Sequence, residues 1–399
     1  MRLHRRVAVV ALIVLTAMAT SAWRSAAHAQ SSEPIKIGNL ITLTGPNSTP
    51  GIGIDRGMRL AVEEFNKTGG VHGRKIEVIT RDTQGDPTKA VNAALEMINK
   101  EHVDFIAGPT NSGEGLATTP VVARSKVPSI VIGVVEALVD PAKYPLAFRI
   151  YPSNTQWSDA VNSYVLTVLK ANRVALLGDT TGFGTSAVNL AEQGLKAHAA
   201  TIVYRGLVEP NQTDVTADVR KAQGSGAQAL VVWTNSAGLI SRLLNARAEL
   251  GWNVPVVGHP SLGDGAVKPL LAKPENWRNV FNVGYRSMSY DDTGKLPART
   301  EKFLADFGKG LRLDDTMLFF VASGFDTVDL VRFAVDAAGS SKPDEVKRVL
   351  ESGRTFPGLY CTCTYSPSNH NGFATSDVVM NRADSFRSGT YALAPGYGK

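Results

Sequence analysis

ITLTGPNSTPGIGIDRG, residues 41–57, reads as the end of a strand that breaks into a Gly- and Pro-rich loop and then enters a helix. Such a turn cradles phosphate when its spacing is right: G-x-G-x-x-G directly between strand and helix, or G-K-[ST] closing a P-loop. Here Arg56 holds the third glycine position after Gly51 and Gly53, Gly57 comes one residue late, and several residues separate the strand from Gly51. The spacing speaks against a nucleotide and leaves open what the loop serves.

Outward from this stretch the chain alternates strand and helix. IKIGNLI (35–41) is strand-like, and the helix after the loop carries Met58, Ala61, Val62 and Phe65 at i, i+3, i+4 and i+7. KIEVITRD (75–82) is the next strand. Asp86 and Pro87 then supply an N-cap and a first helical residue, ahead of a stripe of Val91, Ala94, Leu95 and Ile98. VDFIAG (103–108), SIVIG (129–133), RVALLGD (173–179), ATIVYRG (200–206), ALVVWT (229–234) and VPVVG (254–258) are short apolar runs. Runs of this kind mark parallel strands covered on both faces. A further helical stripe of Val161, Tyr164, Val165 and Val168 lies between them. The expected class is α/β, built from doubly wound sheets.

The first 29 residues have the features of an export signal: MRLHRR is basic, VAVVALIVLTAMA is apolar and too short to span a bilayer comfortably, and AHA (27–29) is a cleavage site before Gln30. Their loss removes Arg2, Arg5, Arg6 and Arg24, taking 42 basic residues to 38 against 36 acidic ones and the formal charge from +6 to about +2. The remaining charge is scattered, so nucleic acid is not an expected partner. About 370 of 399 residues remain, enough for two lobes. Cys361 and Cys363, one residue apart, are expected as two thiols on one strand, because a disulfide at that spacing is usually strained.

Open parallel sheets bind ligands beyond the carboxyl ends of their strands. The loops there are TLTGPNSTPG (42–51), GPTNSGEG (108–115) and GVVEA (133–137), then GDTTGFGTS (178–186), WTNSAG (233–238) and GHPSLGDG (258–265). All are short, polar and glycine-rich. None carries a G-x-S-x-G elbow, since Thr110 stands where that motif before Ser112 needs glycine, and H-E-x-x-H is absent. His72, His102, His198, His259 and His370 are dispersed, so neither an enzyme, a metal site nor a cofactor is expected. Ser112 has two readings: an ordinary helix N-cap, or a hydroxyl that joins free backbone amides in holding a ligand anion.

Together, IKIGNLITLTGP (35–46), the segment 57–91, FIAGPTNSG (105–113), RVALLGDTTGFGTS (173–186) and LLNARAELGWNVPVVG (243–258) give the chain a specific resemblance. It resembles the leucine/isoleucine/valine-binding proteins, type I periplasmic substrate-binding components of ABC importers, over nearly all of the mature length. The resemblance implies two Rossmann-like lobes with three crossovers, placed by analogy near Tyr151–Pro152, Gly284 and Leu359. One lobe then comprises 30–151 plus 285–358 and the other 152–284 plus 359–399. A solute is held between them by hinge closure. The loop after the first strand would line that cleft.

Carried over residue by residue, the family's carboxylate-binding serine corresponds to Ser112, next to Asn111. The hydroxyl-rich run after the following strand is replaced by Gly133, Val134 and Val135, which keep only backbone amides. Phe183 takes the place of the aromatic residue that packs over the ligand, and His259 and Pro260 stand where an acidic residue would receive an ammonium. With Trp233 as a second apolar surface and Asn235, Ser236 and His259 as polar neighbours, the set suits an aromatic or apolar organic acid, branched-chain or other amino acids coming next. Glu136 and Asp264, in cleft loops, are the carboxylates able to supply the missing charge. The expectation is a monomeric periplasmic solute receptor serving ABC permease subunits; a ligand sensor that passes closure to a signalling partner is the alternative.

Overall fold

The computed structural model describes residues 33–397; the expected export signal and its cleavage site lie outside the described residues. The chain begins as β1 (Ile35–Ile41), α1 (Thr49–Lys67), β2 (Ile76–Asp82), α2 (Pro87–Glu96), β3 (Phe105–Ala107), α3 (Ser112–Arg124), β4 (Ser129–Val131) and β5 (Ala147–Arg149). The strands form one sheet in the order β2-β1-β3-β4-β5, all parallel, with Ile35 opposite Ile76 and Ile37 opposite Phe105.

After α4 (Asn154–Ser163) the pattern repeats. The elements are β6 (Arg173–Asp179), α5 (Gly182–Ala197), β7 (Thr201–Val208), α6 (Thr216–Gly224), β8 (Ala229–Trp233), α7 (Ala237–Glu249), β9 (Val256–Gly258) and β10 (Val280–Tyr285). The second sheet runs β7-β6-β8-β9-β10, the same order as the first, and is extended by a strand from the far end of the chain. Before that strand come β11 (Ser289–Tyr290), α8 (Ala298–Phe307), α9 (Leu318–Ala338), α10 (Pro343–Leu350) and the hairpin β12 (Thr355–Pro357) with β13 (Thr362–Thr364). β14 (Val378–Arg382) then pairs antiparallel to β10, and β15 (Tyr391–Ala392) pairs with β11. Two sheets of identical strand order, with helices between their parallel strands, make a type I periplasmic binding protein fold.

Local chemistry accounts for the elements. The Asp86 side chain accepts from Thr88 and Lys89 N–H at 2.7 and 3.0 Å and so caps α2. α1 starts at Thr49, inside the loop expected over 42–51. The glycines are needed for packing. A Cβ on Gly57 would lie 1.9 Å from Val321 O, and one on Gly324 2.0 Å from Ile54 O, so α1 and α9 cross backbone to backbone. Of the opening glycines, Gly53 and Gly57 thus seat α1 on α9, whereas a Cβ on Gly51 would lie 2.0 Å from Thr42 O.

Tyr151, Tyr285 and Tyr360 stand at the three expected crossover points, all buried. Ring centroids are 4.7 Å apart for Tyr285–Tyr360 and 5.5 Å for Tyr151–Tyr360. The expectation of two free thiols is corrected: Cys361 and Cys363 are joined in a disulfide at the entry to β13, with Cα atoms 5.6 Å apart. That separation lies within the range two sulfurs bridge, because the chain turns between the two residues. Among the described residues, no helix is long and apolar enough to cross a membrane.

Candidate functional site

In each sheet the strand order reverses direction around its first strand, opening a crevice between β1 and β3 and another between β6 and β8. The loops and helix starts after these strands face each other across the cleft. α3 begins there: Asn111 is its N-cap and accepts from Gly113 N–H at 2.8 Å. Ser112, for which capping was one reading, is instead the first helical residue. Its Oγ accepts from the amides of Val134 at 3.1 Å and Val135 at 3.4 Å. With both lone pairs engaged, the hydroxyl proton is what Ser112 has left to donate.

Behind this loop lies Arg149, fully buried. It donates from Nε to Gly133 O at 3.0 Å and from Nη2 to Val135 O, while Nη1 has no partner. Burial lowers its pKa to about 10, so it is still a cation at neutral pH and orients the amides of the 133–135 loop toward Ser112.

From the opposite side α5 begins with Thr181 as N-cap, accepting from Gly184 N–H at 3.2 Å, and Asp179 accepts from Thr181 N–H at 3.1 Å. The starts of α3 and α5 touch: a Cβ on Gly182 would lie 3.1 Å from Gly113 Cα. Phe183 follows, with its ring 4.8 Å from His259 and 6.3 Å from Trp157, and Trp157 is 5.2 Å from His259. Trp157 Nε1–H donates to Tyr285 Oη at 3.1 Å, which fixes the indole plane. His259 Nδ1 accepts from Ser261 N–H at 3.1 Å, and burial depresses the ring's pKa to about 3. The imidazole is therefore neutral, with its proton on Nε2.

These groups enclose a chamber of about 30 Å³ lined by Pro50, Ile54, Thr110, Ser112, Ile132, Val134, Tyr151, Trp157, Phe183, Asn235, His259 and Phe320. Ligand chambers usually measure roughly 300–1,000 Å³, so a solute needs the lobes to part. Apart from the neutral imidazole of His259, no acidic or basic side chain lines the walls.

Of the residues expected at the site, Ser112, Val134, Phe183, Asn235 and His259 line this space. Asn111 and Val135 stand one residue outside it, the first as helix cap and the second between Ser112 and Arg149. Trp233 is fully buried behind Phe183, 6.4 Å from it between ring centroids. Ser236 caps α7 by accepting from Leu239 N–H at 3.2 Å. The two carboxylates expected as substitutes are engaged elsewhere. Glu136 accepts from Thr155 N–H at 2.8 Å, and Asp264 accepts from Ala266 N–H at 3.0 Å.

Trp157 and Phe320 were not among the residues expected at the site, and Tyr151 was expected only as a crossover residue. Trp157 sits four residues before Val161 and continues that stripe, a signal that was available. Phe320, on the helix that returns to cross α1, had none. Among the described residues no group of three or more His, Cys, Asp or Glu is placed to hold a metal ion.

Asp264 gives the site region a measurable pH response. Burial raises its carboxyl from 3.8 to about 7. Between those values the folded chain keeps a proton that the unfolded chain loses, so this group's share of stability is lost as pH rises through the window. Asp264→Asn removes the linkage. The melting temperature of the wild type, relative to this variant, is expected to fall from pH 4 to pH 8; parallel profiles would show that Asp264 titrates normally.

The fold defines the class: a two-lobed type I periplasmic binding protein. The chain matches the family described as periplasmic binding protein over residues 34–386 and belongs to it. It is similar to the Leu/Ile/Val-binding protein homolog 3 of Brucella melitensis, 24% identical over 90% of this chain and 94% of that one. Among solved structures, the branched-chain amino acid transporter substrate binding protein LivJ from Streptococcus pneumoniae, in complex with isoleucine, has a TM-score of 0.77 at 22% identity, covering 90% of this chain and 99% of that one. A solute binding protein of an ABC transporter from Rhodopseudomonas palustris, in complex with 3,4-dihydroxy benzoic acid, has a TM-score of 0.74 at 20% identity, covering 88% and 93%.

Proposed function

We propose that the protein is the extracytoplasmic solute receptor of an ABC importer and captures an aromatic or apolar organic acid between its lobes by hinge closure. One observation carries the choice of ligand: the chamber has aromatic and aliphatic walls and hydroxyl groups but no carboxylate. A zwitterionic amino acid would bury its ammonium without a counter-charge, at a cost of several kcal/mol. A monoanion would receive the Ser112 hydroxyl and the free end of α3, with the buried Arg149 cation behind. The dihydroxybenzoic acid complex of a fold neighbour supports this choice, whereas the isoleucine complex of another supports amino acids.

The lobe division assigned to the hinge is 30–151 plus 285–358 and 152–284 plus 359–399, with export after Ala29 and delivery to membrane permease subunits. The packing of α9 on α1 and the pairing of β14 with β10 support that division. Mass spectrometry of the exported chain should find Gln30 first.

Calorimetry with leucine, valine, phenylalanine and a panel of benzoates tests the ligand class. Micromolar binding of leucine or valine with no aromatic acid bound would sink it. Ser112→Ala removes the donor and leaves two loop amides without an acceptor. The affinity for the anion is expected to fall by roughly 1–3 kcal/mol, the usual cost of a hydrogen bond to a charged group. Unchanged affinity would remove Ser112 from the site.

A further inference from the structure

The second lobe presents to the chamber two side chains that the fold itself does not use fully, the amide of Asn235 and the imidazole of His259. Asn235 is 9% exposed and its Oδ1 is buried with no hydrogen-bond partner. His259 spends Nδ1 as acceptor for Ser261 N–H, which leaves Nε2–H to donate, and Nε2 has no partner among the described residues. The two follow adjacent strands, β8 and β9, and line the same small chamber. An orphaned buried acceptor carries its full desolvation penalty, so a group that satisfies it contributes strongly to binding. The partner must both donate, to Asn235, and accept, from His259. A hydroxyl does both through one oxygen; an ether or carbonyl only accepts, and an ammonium only donates.

Resting on the reading of the ligand as an aromatic or apolar acid, we propose that Asn235 and His259 form a hydroxyl-recognising pair and that the natural ligand is a hydroxylated acid. Its carboxylate meets Ser112 on the first lobe and its hydroxyl meets this pair on the second. The hydroxyl thereby links ligand binding to closure, because it ties the second lobe to an anion already held by the first. The Phe183 and Trp157 rings enclose the body between the two polar ends.

The test is calorimetry of benzoate, 3-hydroxybenzoate, 4-hydroxybenzoate and 4-methoxybenzoate on the wild type and on Asn235→Ala. One hydroxybenzoate is expected to bind roughly tenfold to hundredfold tighter than benzoate and than the methoxy acid, which can only accept. In Asn235→Ala that ratio is expected to collapse toward one. A merely structural role for Asn235 would weaken all four acids alike and leave the ratio standing. Benzoate binding as tightly as both hydroxybenzoates on the wild type overturns the pair while leaving the aromatic-acid reading intact. Failure of all four acids to bind, with leucine bound, overturns both. The wild-type comparison decides even if the variant does not fold.

Discussion

Asp326→Ala is expected to remove roughly 3–9 kcal/mol of stability, as three buried amides at about 1–3 kcal/mol each lose their acceptor. Asp326 lies fully buried in α9. Its Oδ1 accepts from Leu359 N–H at 2.7 Å, and its Oδ2 accepts from Tyr360 N–H at 2.7 Å and Cys361 N–H at 3.2 Å. One carboxylate thus ties down the third expected crossover and carries Tyr360 against Tyr285 and Tyr151. Burial raises this carboxyl to about 7 even with three donors on it. Since whole domains are stable by about 5–15 kcal/mol, the variant should unfold at markedly lower urea. A midpoint close to that of the wild type would mean that the crossover is held by its aromatic packing alone. Asp326→Asn separates shape from charge. It keeps the volume but turns an amide donor toward backbone donors, so it should recover little.

Gly182→Val is expected to leave the fold standing and to weaken ligand binding by roughly tenfold to hundredfold, the equivalent of 1–3 kcal/mol of overpacking. Even a Cβ at Gly182 would lie 3.1 Å from Gly113 Cα and 3.2 Å from its N, and valine adds two methyl groups to that contact. The clash exists only where the starts of α3 and α5 meet. It therefore acts on closure and spares each sheet. Gly182 does not use positive φ, so the substitution brings no backbone strain. Small-angle scattering with saturating ligand should show the variant more extended than the wild type. Wild-type affinity in Gly182→Val would mean that the ligand is held without this contact.

What the sequence determined by itself was local. Continuous apolar runs such as RVALLGD and ALVVWT identified parallel strands, because a strand covered on both faces needs apolar residues on both. The Asp86–Pro87 start of α2 was legible because a cap acts within three residues. The strand-end loops were equally plain, and Ser112, Val134, Phe183, Asn235 and His259 all come from them. Tertiary structure decided which of these residues face the same space. Trp233 and Phe183 are both loop-end aromatics in the sequence, yet Trp233 is withdrawn into the core and Phe183 takes the wall. Phe320 reaches the chamber only because glycines let α9 cross α1 with backbones in contact. Glu136 and Asp264 are lost to the chamber because nearby amides claim them first. Cys361 and Cys363 join because the chain bends between them, where a straight strand would have kept them apart. Periodicity records which face of an element is apolar. Which faces then enclose a common space depends on contacts between residues far apart in the chain, and no local pattern encodes those.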